Sequence, residues 1–151
     1  MPLSKSKYLV FSAYKLFKLK KTIKKIMNFL IIDGTQDKIN FFSYFNNTGY
    51  NKSFETSKNN NDRFSSFLFD FLRENNIDLS KINILLVNQG PGKFSGIRTS
   101  IAVAKAISLT NSLDLYGFNS SDLKNMNYMG IISLYKEGYL KKNLINPIYS
   151  S

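Results

Sequence analysis

The residues with the clearest chemical potential sit together at Gln89–Ser95, QGPGKFS, between an apolar run at Asn83–Asn88 and a helix-like stretch at Gly96–Asn111. A glycine-rich loop that feeds a helix N-terminus can present backbone N–H groups to an anion such as a phosphate. The spacing is not that of a Walker A loop, because GxxxxGK followed by Ser or Thr is absent. Nor is it the dinucleotide loop, because Gly90, Gly92 and Gly96 read GxGxxxG. The same glycines have an architectural use: Gly90-Pro91-Gly92 makes a tight turn, and Gly96 lets a helix begin close to a sheet. Chemistry elsewhere is restricted, since the chain has no Cys and no His. That removes thiolate ligands and nucleophiles, the commonest general base and the commonest zinc ligand, and argues against a self-sufficient hydrolase or metalloenzyme.

The elements that must position this loop are legible from their patterning. Asn28–Asp33, NFLIID, is a short apolar run that ends in an acid before Gly34-Thr35, the pattern of a buried strand and a turn. Lys38–Phe45 is rich in aromatic and β-branched residues, Asn46–Gly49 is a turn and Tyr50–Thr56 a third strand, together an antiparallel meander. Phe64, Phe67, Leu68, Phe71 and Leu72 fall at helical spacing within Arg63–Asn75 and form a wide apolar face. That face is either internal core or a surface that a partner covers. Leu113–Phe118 is a last strand, and Met126–Glu137 a last helix stopped by Gly138. The order is βββαβαβα, an α/β chain whose mixed sheet adds parallel strands to the meander.

Length and composition, 151 residues with 43% hydrophobic and 15% aromatic, fit one folded domain rather than a disordered chain. The net charge of +11 is concentrated at the start: residues 1–26 hold eight lysines and no acid, so the remainder is nearly balanced. A basic balance of that kind does not mark the domain as a nucleic-acid binder. The leader has three readings: a start assigned too early, with Met27 opening the protein; a membrane-surface or targeting helix; or a nucleic-acid-binding arm. No run reaches the ~20 apolar residues a membrane span needs.

Residues 90–109, GPGKFSGIRTSIAVAKAISL, resemble the GPGSFTGLR-type signature, and its following helix, of the TsaB (YeaZ) family of Gcp-like proteins. The likeness runs in register over about residues 27–123. Phe29–Thr35 resembles the family's opening strand and turn, Asp62–Asn75 its first helix, Asp78–Val87 the approach to its fourth strand, and Tyr116–Ser121 its strand and Ser-Ser turn. Asn146-Pro147-Ile148-Tyr149 resembles its Pro-x-Tyr motif near the C-terminus. Two positions depart: Gly34 stands where Thr is usual, and Asn or Asp stands where a His often precedes the first helix. The family also has a second actin-like half, so the pattern here is that of an internally shortened member.

The resemblance implies a single RNase H-like/actin-like ATPase lobe, divided as a basic leader 1–26, a Gcp-like N-terminal lobe 27–125 and a residual helix and tail 126–151. It implies a non-catalytic partner of a TsaD-type transferase in the making of threonylcarbamoyladenosine on tRNA. A TsaE-type ATPase joins that pair, and tRNA is reached only through the complex. The implied interface comprises Phe64, Phe67, Leu68 and Phe71 of the first helix with Ile101 and Lys105 of the second, covered by a second copy when the partner is absent. Gly90, Pro91, Gly92, Phe94, Ser95, Gly96 and Arg98 form the signature loop. Asp33 and Thr35 are a degenerate nucleotide turn. No catalytic residue, metal or tightly bound cofactor is expected, with ATP or ADP only at the complex interface, and a cytoplasmic location is expected unless the leader is a real membrane element. The alternative is a degenerate or stand-alone interaction domain of actin-like fold with no part in tRNA modification.

Overall fold

In a computed structural model of the chain, residues 12–15, 26–56, 61–142 and 145–150 are described. The three readings of the leader lie mostly outside these residues; 12–15 form an exposed helical turn. No helix among the described residues is long and apolar enough to cross a membrane.

Five strands form one sheet in the order β3-β2-β1-β4-β5. The continuous apolar run Phe29–Asp33 is β1, and every residue in it is buried, as expected of a strand covered on both faces. It pairs antiparallel with β2 (Lys38–Phe45) and parallel with β4 (Ile84–Asn88). β5 (Asp114–Phe118) extends the parallel half and β3 (Thr48–Glu55) the antiparallel half. β3 begins two residues before its sequence-based start. Asn46 and Asn47 both adopt left-handed backbone angles (φ 49° and 62°) and make a two-residue hairpin turn, so Gly49 falls inside the strand, opposite Tyr44.

Three helices cover the sheet: α1 (Phe64–Glu74), α2 (Phe94–Asn111) and α3 (Tyr128–Lys136). Strand alternation divides the core in two. Leu30, Ile32, Ile39, Phe41, Leu85 and Val87 meet α1 and α2 on one face, through Phe64, Leu68 and Phe71 and through Ile97, Ile101 and Ala104. Phe29, Ile31, Ile84, Leu86 and Phe118 meet Tyr128, Ile131 and Ile132 of α3 on the other. α2 starts at Phe94, two residues earlier than its small-residue pattern suggests, because Lys93 is still extended and the helix begins directly after it. Ser95 and Gly96 are therefore helical. The sheet is mixed, as expected, and short 3₁₀ turns at Asn61–Arg63, Leu79–Lys81, Ser120–Asp122 and Lys124–Met126 fill the connections.

Candidate functional site

The carboxyl ends of β1 and β4 place Asp33 and Asn88 side by side at the middle of the sheet. Asp33 is 1% exposed, and its two oxygens are engaged by neighbours from three elements. Oδ1 accepts the Thr35 N–H at 3.0 Å and the Thr35 hydroxyl at 2.6 Å. Oδ2 accepts Asn88 Nδ2 at 3.0 Å and the Tyr128 hydroxyl at 2.9 Å. A buried acid is tolerable only when it is hydrogen-bonded in this way. Tyr128 enters from the first position of α3 and stacks on Phe42, with ring centroids 5.8 Å apart. Burial pushes its phenol well above its usual value, and the nearby Asp33 charge adds to the effect.

The signature loop grows out of Asn88. Asn88 Oδ1 accepts the Gly90 N–H at 2.9 Å and the Ser120 hydroxyl at 3.3 Å. Ser120 donates its N–H to the Gly90 carbonyl at 2.8 Å and its hydroxyl to the Pro91 carbonyl at 3.1 Å. On the β1 side, Lys93 donates its N–H to the Thr35 carbonyl at 3.2 Å and pairs its ammonium with Asp37. A Cβ on Gly92 would lie 2.4 Å from the Thr35 carbonyl oxygen. The loop is thus a packed junction between the β1 turn and the turn at Ser120. Of the predicted loop residues, Ser95 and Arg98 are exposed on the first turns of α2, whereas Gly90 and Gly96 face backbone.

The residues expected to meet a partner are split by the structure. Phe64, Leu68, Phe71 and Ile101 are 1%, 0%, 0% and 4% exposed, packed under the sheet, so the assignment of these four to an interface is corrected: they are core. The large rings Phe64 and Phe71 fit there because Phe41 of β2 packs against both. Phe67 is half-buried and stacks on Phe54 of β3 at 4.5 Å, with the Arg63 guanidinium 5.3 Å over its ring. Lys105 is exposed. Two residues missed in the sequence hold the outward faces: Phe69 of α1 is 55% exposed and Leu109 of α2 is 82% exposed. Both are apolar positions off the buried stripe of their helix, which is the signal that would have found them. Leu109 and Lys105 also border a groove of about 510 Å³ shared with Leu113, Asp114 and Leu115. Asn88, Ser120 and Tyr128 were missed as well, because nothing in their spacing shows that they converge.

A mixed five-stranded sheet with helices on both faces, and a glycine loop packed against the turn after its first strand, is the lobe of an RNase H-like/actin-like ATPase fold. The family model described as TsaD, tRNA N6-adenosine threonylcarbamoyltransferase, matches residues 54–130. Two curated relatives are tRNA threonylcarbamoyladenosine biosynthesis proteins TsaB of Buchnera aphidicola. That of subspecies Baizongia pistaciae is 38% identical over 63 residues, covering 42% of this chain and 28% of the relative. That of subspecies Schizaphis graminum is 29% identical over 91 residues, covering 60% and 43%. YeaZ from Pseudomonas aeruginosa superposes with a TM-score of 0.58 at 18% identity, over 75% of this chain and 50% of that one. A second structure, described as similar to peptidase YeaZ from the same organism, gives 0.60 with the same identity and coverage. The chain spans less than half the length of the curated relatives and half that of the YeaZ structures. The chain belongs to this family, on its TsaB (YeaZ) side.

Proposed function

We propose that this chain is the non-catalytic partner subunit of a complex that makes N6-threonylcarbamoyladenosine on tRNA, pairing with a TsaD-type transferase through the outward faces of α1 and α2. A TsaE-type ATPase completes the assembly in this reading, tRNA is met only through the complex, and the protein works in the cytoplasm. The observation that carries it is the pair of helices on one sheet face whose outward surfaces keep Phe69 and Leu109 in water while their inward surfaces are fully packed. Large exposed apolar groups on neighbouring helices suit a protein interface. The site at Asp33 supports the non-catalytic part. Each carboxyl oxygen already accepts two hydrogen bonds from this chain, and Tyr128 lies on the carboxyl, so a nucleotide phosphate or its metal would have to displace the phenol. The test is co-purification with the TsaD-type protein of the same organism, followed by threonylcarbamoyl transfer assayed with the chain alone and with the pair. Activity confined to the pair is expected. Failure to associate would favour the stand-alone interaction domain, and turnover by the chain alone would end the non-catalytic assignment.

A further inference from the structure

The outer side of the signature loop is gripped by residues 145–150. Ile148 donates its N–H to the Gln89 carbonyl at 2.7 Å. Gln89 Nε2 donates to the Asn146 carbonyl at 3.1 Å. Ser150 reaches the Gly92 carbonyl through its hydroxyl at 3.0 Å and its N–H at 3.4 Å, and Gly92 bridges Tyr149 in parallel. Gly90 has a φ of +110°, and a Cβ on it would lie 2.2 Å from the Ile148 carbonyl oxygen. At Gly90 the loop and the segment therefore meet backbone to backbone, with the Gln89 and Ser150 side chains adding hydrogen bonds on either side.

The inner side of the same loop rests on the β1 turn through Gly92 and Lys93, and α2 begins at the next residue. Ile97 N–H bonds the Lys93 carbonyl at 3.1 Å, so the loop end and the first turn of α2 are one hydrogen-bonded unit. The segment itself is lightly anchored. Ile145 is 5% exposed, but Ile148 and Tyr149 are 40% and 43% exposed and Ser150 lies at the surface. A segment with few buried contacts and solvent-exposed backbone hydrogen bonds opens at lower free energy than the core beneath it.

We propose that residues 146–150 form a releasable strap that fixes the Gln89–Gly92 loop and, through it, the first turn of α2. With the strap docked, the loop is clamped from both sides. With it released, the loop keeps its contacts to the β1 turn, to Asn88, to Phe118 and to Ser120 but loses its outer side, and its two glycines give it backbone freedom that no other residue type would. The strap does not depend on which protein α2 meets.

Amide hydrogen exchange on the full chain tests this. Ile148→Pro removes the donor to Gln89, Ser150→Ala removes the hydroxyl to Gly92, and Ile148→Val retains the donor. The amides of Gly90, Lys93, Ile97 and Ser120 should exchange about tenfold faster or more in the proline variant, and faster to a smaller extent in Ser150→Ala. The amides of Ile31, Phe42 and Leu85 should keep their rates, and Ile148→Val should match the parent throughout. Unchanged loop amides in both weakening variants would overturn the proposal. Equal acceleration across the sheet would overturn it too, because the segment would then be general support for the fold. If the proline variant does not fold, Ser150→Ala decides, since its side chain is at the surface.

Discussion

Gly34 and Gly96 lie backbone against backbone where the turn after β1 meets the first turn of α2. A Cβ on Gly96 would sit 2.3 Å from the Gly34 carbonyl oxygen, and a Cβ on Gly34 would sit 2.6 Å from the Gly96 carbonyl oxygen. Neither obstacle is a flexible side chain, so relief requires the turn and the helix to separate. Gly34 is thereby matched to Gly96 across the contact.

Gly96→Val should cost on the order of 1–3 kcal/mol in denaturant unfolding, with the slope unchanged. Gly130, near the start of α3, has nothing within 4 Å of a built Cβ. Gly130→Ala should therefore stabilise by about 0.5–1 kcal/mol through helix propensity. An unchanged midpoint for Gly96→Val would show that the loop does not aim α2 by close approach.

The α1 face separates the two readings of its aromatic residues. Phe71→Asp places a charge in the packed core beside Phe41 and should unfold the domain, a loss above about 4 kcal/mol visible by circular dichroism. Phe69→Asp changes an exposed position and should leave the spectrum intact while weakening association with a TsaD-type partner, or with a second copy, by light scattering. A folded, fully associating Phe69→Asp protein would move the interface elsewhere.

Tyr128 makes stability fall at high pH. Its folded pKa is raised above the ordinary 10.0, first by burial, then by the charge of Asp33 and the hydrogen bond to it, with Asn40 opposing. The unfolded phenol loses its proton near pH 10 while the folded one retains it, so the unfolded state binds fewer protons above that pH. The contribution is complete below pH 10 and declines as pH rises beyond it, by up to about 1.4 kcal/mol per unit. Tyr128→Phe should lose about 1.5–3 kcal/mol at neutral pH, because Asp33 forfeits a donor, and should flatten the alkaline decline. Melting temperatures of both proteins between pH 8 and 11 check the prediction. Parallel curves would assign the decline to other groups.

A chain that begins at Met27 should fold as well as the full sequence. Met27 packs on the α3 side of the core, and Asn28 ties the start of β1 to its neighbours. Its N–H goes to Asn83 Oδ1 at 2.8 Å, its Nδ2 to the Lys81 carbonyl at 3.0 Å, and its Oδ1 accepts the Asn46 N–H at 2.9 Å. A melting temperature lower by more than about 4 °C, roughly 1 kcal/mol, would mean that the leader packs on the domain.

Strand and helix order, the meander and the parallel half were legible in the sequence, because burial on both faces, on one face or on one helical stripe leaves periodic marks. β1 reads as an unbroken apolar run because it is central, and α1 shows its stripe because one side faces the sheet. The asparagines at 46 and 47 marked a turn, but its tightness came from their backbone angles, which the sequence does not display. The stripe of α1 told which residues are apolar on one side; it could not tell whether that side faces the chain's own sheet or another protein. The sheet opposite decided it, and Phe69, off the stripe, was left outward. Asp33, Asn88, Ser120 and Tyr128 are spread over 96 positions of the sequence, and no local pattern links them. They meet because parallel pairing aligns the carboxyl ends of β1 and β4 and α3 returns across that edge. The glycines of the signature loop show the same division. Their presence announced backbone demands, while the identity of what approaches them, Ile148 at Gly90, Thr35 at Gly92 and Gly34 at Gly96, is set by long-range packing alone.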